Sequence, residues 1–70
     1  MEITAITYLG ETKRWYIAEC PELGVASQGL TEKEALANLK EATELYLEAF
    51  PQVLIRKAHI TTLKISPAHA

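Results

Sequence analysis

The side chains here that could do chemistry are few: nine acidic residues, all of them Glu, one cysteine and two histidines. Glu2, Glu11, Glu19 and Glu22 lie outside the long helical stretch, and carboxylates of that kind, converging on a divalent ion, would make a metal-dependent nuclease. Glu11 falls in a turn and Glu22 in a bend, so their spacing reads as scattered, solvated glutamates. Cys20 with His59 as its base would make a thiol nucleophile, which needs proximity and a lowered pKa. A cysteine at a strand end reads more simply as a small packed hydrophobe. A lone cysteine also excludes an internal disulfide and a Cys-rich metal site, and His59 and His69 stand apart. We expect no catalytic residue, no metal and no cofactor.

The remaining candidate for chemistry is "GLTEKEALANLKEA", residues 29–42, where a glycine leads into a helix. A phosphate loop needs several glycines and a following Gly-Lys-Ser/Thr, so that consecutive amides and a lysine surround the phosphates. One glycine before Leu30 and Thr31 does not supply this, and Glu32 and Glu34 already place negative charge at the helix start. Thr31 with Glu34 instead fits a capping box. The stretch predicts a helix start.

The elements that must position any site follow from the pattern. Residues 1–9, "MEITAITYL", and residues 14–20, "RWYIAEC", read as strands joined by the turn "GETK". Pro21 ends the second strand, Gly24 allows a bend, and "VASQ", residues 25–28, makes a short third strand. The helix runs from Glu32 to Phe50, where Pro51 prevents extension. Its apolar stripe is Ala35, Leu36, Leu39, Ala42, Thr43, Tyr46 and Phe50, with Leu45 and Leu47 flanking it on either side. Residues 52–66 contain a fourth strand at 58–65, with Thr61, Leu63 and Ile65 on one face. The expected fold is α+β, in the order β-β-β-α-β. It has one antiparallel-type sheet with a single helix packed on one face, in one domain over residues 1–66 and a frayed tail over 67–70.

A chain of 70 residues is at most one domain, and it buries only roughly 60% of its unfolded surface. Oligomerisation is the usual supplement to so small a core, so a homo-oligomer, a dimer or tetramer, is expected. Half the residues are apolar, as in ordinary globular proteins. Met1-Glu2 lacks a basic leader and no apolar run approaches membrane-spanning length. A cytoplasmic protein without membrane contact is expected.

The net charge of −2 weighs against a dedicated nucleic-acid binder, and its distribution says more. The last acidic residue is Glu48, and after it come only Arg56, Lys57 and Lys64. Glu41, Glu44 and Glu48 lie toward the helix C-terminus, where the macrodipole disfavours anions. Glu44 and Glu48 repel each other at i,i+4, with only Lys40 nearby to compensate. That arrangement suits a basic partner. "KRWY", residues 13–16, is the one aromatic-basic cluster, and alternation sends Trp15 and Tyr16 to opposite faces. The partner-binding candidates are therefore Trp15, Tyr16, Glu41, Glu44, Leu47 and Glu48.

"WYIAECPELGVASQGLTEKEALANLKEATELYLEA", residues 15–49, resembles the signature of the HicB-like antitoxins. The resemblance runs through Pro21, Glu22, Leu23 and Gly24, then Gln28, Gly29 and Thr31. It continues through Glu34, Ala35, Asn38, Ala42, Tyr46 and Leu47. Leu30 stands where an Asp is frequent, and Val25 where a Cys is frequent. With few residues after the last expected strand, the chain looks like the short form, without the C-terminal DNA-binding segment of many members, and no direct DNA binding is expected.

The resemblance implies a partial, degenerate RNase H-like fold. It also implies neutralisation of a HicA-like toxin, a small basic mRNA-cleaving ribonuclease, by steric occlusion. Asn38 is expected to hydrogen-bond a neighbouring backbone rather than to recognise a partner. The alternatives are an orphan homo-oligomeric scaffold or regulator of the same fold, and a vestigial nuclease.

Overall fold

The computed structural model describes residues 2–52 and 57–68. Three strands, β1 (Ile6–Leu9), β2 (Tyr16–Cys20) and β3 (Val25–Gly29), precede one helix, α1 (Glu32–Ala49). The strands form an antiparallel meander in the order β1-β2-β3, so the architecture is α+β with the helix after the sheet. Ile6 lies opposite Glu19 and Leu9 opposite Tyr16, while Tyr16 lies opposite Gly29 and Cys20 opposite Val25.

Short turns set this register. The Gly10 amide donates to the Trp15 carbonyl at 2.7 Å, and the Lys13 amide to the Gly10 carbonyl at 2.9 Å. Lys13 takes a left-handed φ of 57° to close that loop. In the second turn the Gly24 amide donates to the Cys20 carbonyl at 2.9 Å, with Gly24 at φ 68°, a conformation natural to glycine.

With side chains alternating across the pleat, Tyr16, Ala18, Cys20 and Val25 face the helix. Ala18, Cys20, Ala35 and Leu39 form the buried core, with Ile3, Tyr16, Leu23 and Val25 packed around it. Small residues dominate because helix and sheet approach closely: a Cβ at Gly29 would sit 2.6 Å from the Ala35 nitrogen.

Thr31 caps α1, its hydroxyl accepting from the Glu34 amide at 3.0 Å. Glu34 reaches back to the Leu30 amide at 3.4 Å, one residue before the cap. Asn38 donates to the Gln28 carbonyl at 2.8 Å, tying helix to β3, which is the backbone role expected of it. Thr43 is buried, and its hydroxyl donates to the Leu39 carbonyl. The helix ends at Ala49, with Phe50 as its C-cap and the Phe50 ring stacked at a tilt on Tyr46, 5.1 Å between centroids.

Several expectations change. β1 and β2 are shorter than the β-prone stretches they come from, since a strand extends only as far as its partner's register. Of the expected stripe, Leu36 and Phe50 are exposed: Leu36 borders an open groove on the β1 side, where the helix packs lightly, and Phe50 is the C-cap, past the last helical turn. The fourth strand expected at residues 58–65 is not formed. Residues 57–67 carry no regular secondary structure, and Ile60, Leu63 and Ile65 are 74%, 83% and 80% exposed. A β-type pattern records suitability for a pleated surface, and pairing with an edge is a separate event. Residues 53–56 of the expected link, and His69 and Ala70 of the expected tail, lie outside the described residues. Among the described residues no helix is long and apolar enough to cross a membrane.

Candidate protein-binding surface

The exposed side of α1 carries Glu41, Glu44, Leu45 and Glu48. They are spaced i, i+3, i+4 and i+7, which places them on one strip of a helix. Leu45 is 58% exposed at the centre of that strip. The last turn of α1 holds no basic residue, so Glu48 meets the negative end of the helix dipole without a cation on its own turn, while Lys40 stands four residues before Glu44. An exposed apolar side chain flanked on one side by like charge is a surface to which a basic partner would be complementary. The carboxylates would attract it and set its orientation, and the leucine would be desolvated on contact.

Leu47 points elsewhere. It is half-buried and lines a groove of about 390 Å³ with Ile3, Ala5, Leu36, Leu39 and Thr43, where Lys40 and Glu44 stand as the polar members. At 100° per residue Leu45 and Leu47 fall on opposite sides of α1, and Leu45 is the leucine of the acidic strip. Its position three residues before Glu48 and four after Glu41 was visible in the sequence.

Trp15 and Tyr16 belong to the sheet. Trp15 is half-buried just before β2, its carbonyl engaged by the Gly10 amide. Tyr16 is half-buried against the core. Since Tyr16 lies opposite Gly29, which abuts the start of α1, it sits at the other end of the helix from Glu44 and Glu48. The structure thus brings Glu41, Glu44 and Glu48 together and leaves Trp15, Tyr16 and Leu47 outside that strip.

The far face of the sheet is also uncovered. Ile6 and Tyr8 are 38% and 45% exposed, and the register sets Tyr8 beside Ile17 and Ile6 beside Glu19. The Tyr8 hydroxyl donates to Glu19 at 2.8 Å, and that bond raises the Tyr8 pKa above its ordinary value.

The groups with reactive potential are built into the scaffold. Cys20 is almost fully buried, and burial pushes its thiol pKa up, opposite to what a nucleophile requires. Its Sγ donates to Glu22 Oε1 at 3.5 Å, while Glu22 Oε2 accepts the Thr4 amide at 2.7 Å. Desolvation alone would raise the Glu22 carboxyl, but the donors on it, led by Thr4, prevail and hold it below the usual carboxylate range. Glu22 therefore clips the chain before β1 to the β2–β3 turn. Among the described residues no three His, Cys, Asp or Glu side chains gather as a metal site.

In comparison with known proteins, the chain matches no family model, no curated protein and no solved structure.

Proposed function

We propose that this chain is a non-catalytic, HicB-like binding module that neutralises a small basic RNA-cleaving protein by covering its RNA-binding surface. The observation that carries the reading is the strip Glu41–Glu44–Leu45–Glu48, where exposed apolar surface and concentrated negative charge coincide on α1. A ribonuclease surface that attracts RNA phosphates is electropositive by necessity, and an acidic strip competes for it on the same electrostatic terms. Occlusion needs no chemistry from the inhibitor. The engagement of Cys20 and Glu22 in the scaffold is compatible with that.

The test is to recover partners of the tagged chain from its host lysate, elute them with salt and identify them by mass spectrometry. A small basic protein whose RNA cleavage stops when this chain is added back supports the reading. If every recovered partner cleaves RNA equally well in its presence, the reading fails.

A second reading, a homo-oligomer acting without a toxin, is favoured by one observation. Ile60, Leu63 and Ile65 are bare to solvent in the single chain, while surfaces able to cover them exist on the same molecule.

A further inference from the structure

We propose that residues 58–65 act as an exchanged arm, adding as a fourth strand to the free edge of β1 in a second copy of this chain, with the second copy returning its own arm. The proposal does not depend on the toxin reading.

Three observations meet in it. The first is the arm. An extended chain there puts Thr61, Leu63 and Ile65 on one face and Ile60 on the other, and Ile60, Leu63 and Ile65 are at least 74% exposed with no strand formed. The radius of gyration is 14.5 Å and the longest dimension 46 Å, whereas a compact chain of this length would have a radius of about 11 Å. The arm stands away from the body.

The second is the receiving site. β1 has β2 on one side and no described strand on the other, so its outer N–H and C=O groups are open for pairing. The helix packs mainly over β3 and β2 and lightly over β1. That offset leaves the apolar groove between Ile3 and Ala5 on one wall and Leu36, Leu39 and Leu47 on the other.

The third is the match between them. A strand beside β1 would send Thr61, Leu63 and Ile65 to one face, into the groove under α1. Ile60 would go to the other face, alongside Ile6 and Tyr8. Both faces of the arm would meet apolar surface. Charge agrees as well: the arm holds Lys64 and no acid, and Lys64 would share the face of Ile60, where Glu19 lies opposite Ile6. A reciprocal exchange about a two-fold axis satisfies both copies at once and leaves neither β1 edge open.

The experiment uses two full-length chains distinguishable by tag, one carrying Ala5→Cys and the other Leu63→Cys, mixed and oxidised. Native Cys20 is buried, and the unsubstituted chain controls for it. The mass of the unsubstituted chain in solution is measured in parallel. Twice the single-chain mass, with a cross-link joining the two tags, is the expected result. A chain carrying both substitutions that cross-links only within itself would show the arm folding home, and would overturn the exchange. A single-chain mass at every concentration overturns it too. A dimer without the cross-link overturns it by placing the contact on another face. Because no toxin takes part, failure here leaves the proposed function standing, and the reverse also holds.

Discussion

At the scale of single residues, the positions that make this sequence distinctive hold the scaffold together. Gly29 shows it most directly. Any Cβ there would lie 2.6 Å from the Ala35 nitrogen and 2.9 Å from atoms of Glu34, and both are backbone or near-backbone positions that cannot swing aside. Gly29→Ala should lower stability by roughly 1–3 kcal/mol through overpacking, measured as a shift in the denaturation midpoint with unchanged slope. Glu22 predicts a pH effect. Its carboxyl titrates below the usual range in the folded chain. The stabilisation is therefore present above the ordinary carboxylate pKa and is lost as pH falls through the depressed value. Glu22→Gln keeps an acceptor for Thr4 and removes the charge, so its thermal midpoint should fall less steeply on acidification than that of the unsubstituted chain. Equal slopes would mean that other carboxylates dominate acid unfolding.

At the scale of elements, the helix combines a buried side that is mostly small residues with an exposed side that carries the acid strip. Replacing Glu41, Glu44 and Glu48 together by Gln should slow association with a basic partner and flatten its salt dependence, read from association rates across ionic strength. The same change should slightly stabilise α1 itself, by a few tenths of a kcal/mol, by removing the Glu44–Glu48 repulsion and the clash with the dipole. A variant that binds as fast as before, with the same salt response, would remove the strip from the interface.

The elements were legible where the signal is local. Gly10 and Gly24 marked the turns, Thr31 and Glu34 the helix start, and Pro51 its end, because each acts within a few residues of itself. What was not legible depends on distant partners. Residues 58–65 have the pattern of a strand, and no sequence rule says which edge they pair with, or in which copy. Leu36 lies on the apolar stripe but is exposed, because its burial depends on how α1 lies across the sheet rather than on periodicity. Glu41, Glu44 and Glu48 share one exposed side of α1, as their spacing implied. Leu47, named with them, lines the groove, while Leu45 lies beside the glutamates.

At the scale of the whole molecule, the fully buried core among the described residues amounts to Ala18, Cys20, Ala35 and Leu39 with the Thr43 side chain, little for a chain that must stay folded alone. Association that covers the groove and the arm would add what the core lacks. By mass action, stability then depends on the amount of protein present. The thermal midpoint of the full chain should rise with its concentration. Leu63→Ser with Ile65→Ser should abolish that rise while leaving the helical circular dichroism signal in place. A midpoint that does not move with concentration in the unsubstituted chain would point to a body that is stable by itself.

The order in which a growing chain releases its segments gives the short connections another meaning. Every element of the body pairs with its immediate neighbour in sequence: β1 with β2, β2 with β3, and α1 onto β3 across a two-residue link. Such a meander closes loops of minimal length and assembles quickly. During synthesis from the N-terminus each strand meets its partner as soon as it emerges, and the body is complete once Phe50 has capped the helix. Residues 57–68 emerge after the body is complete, which favours proper folding of each chain before any meeting between chains.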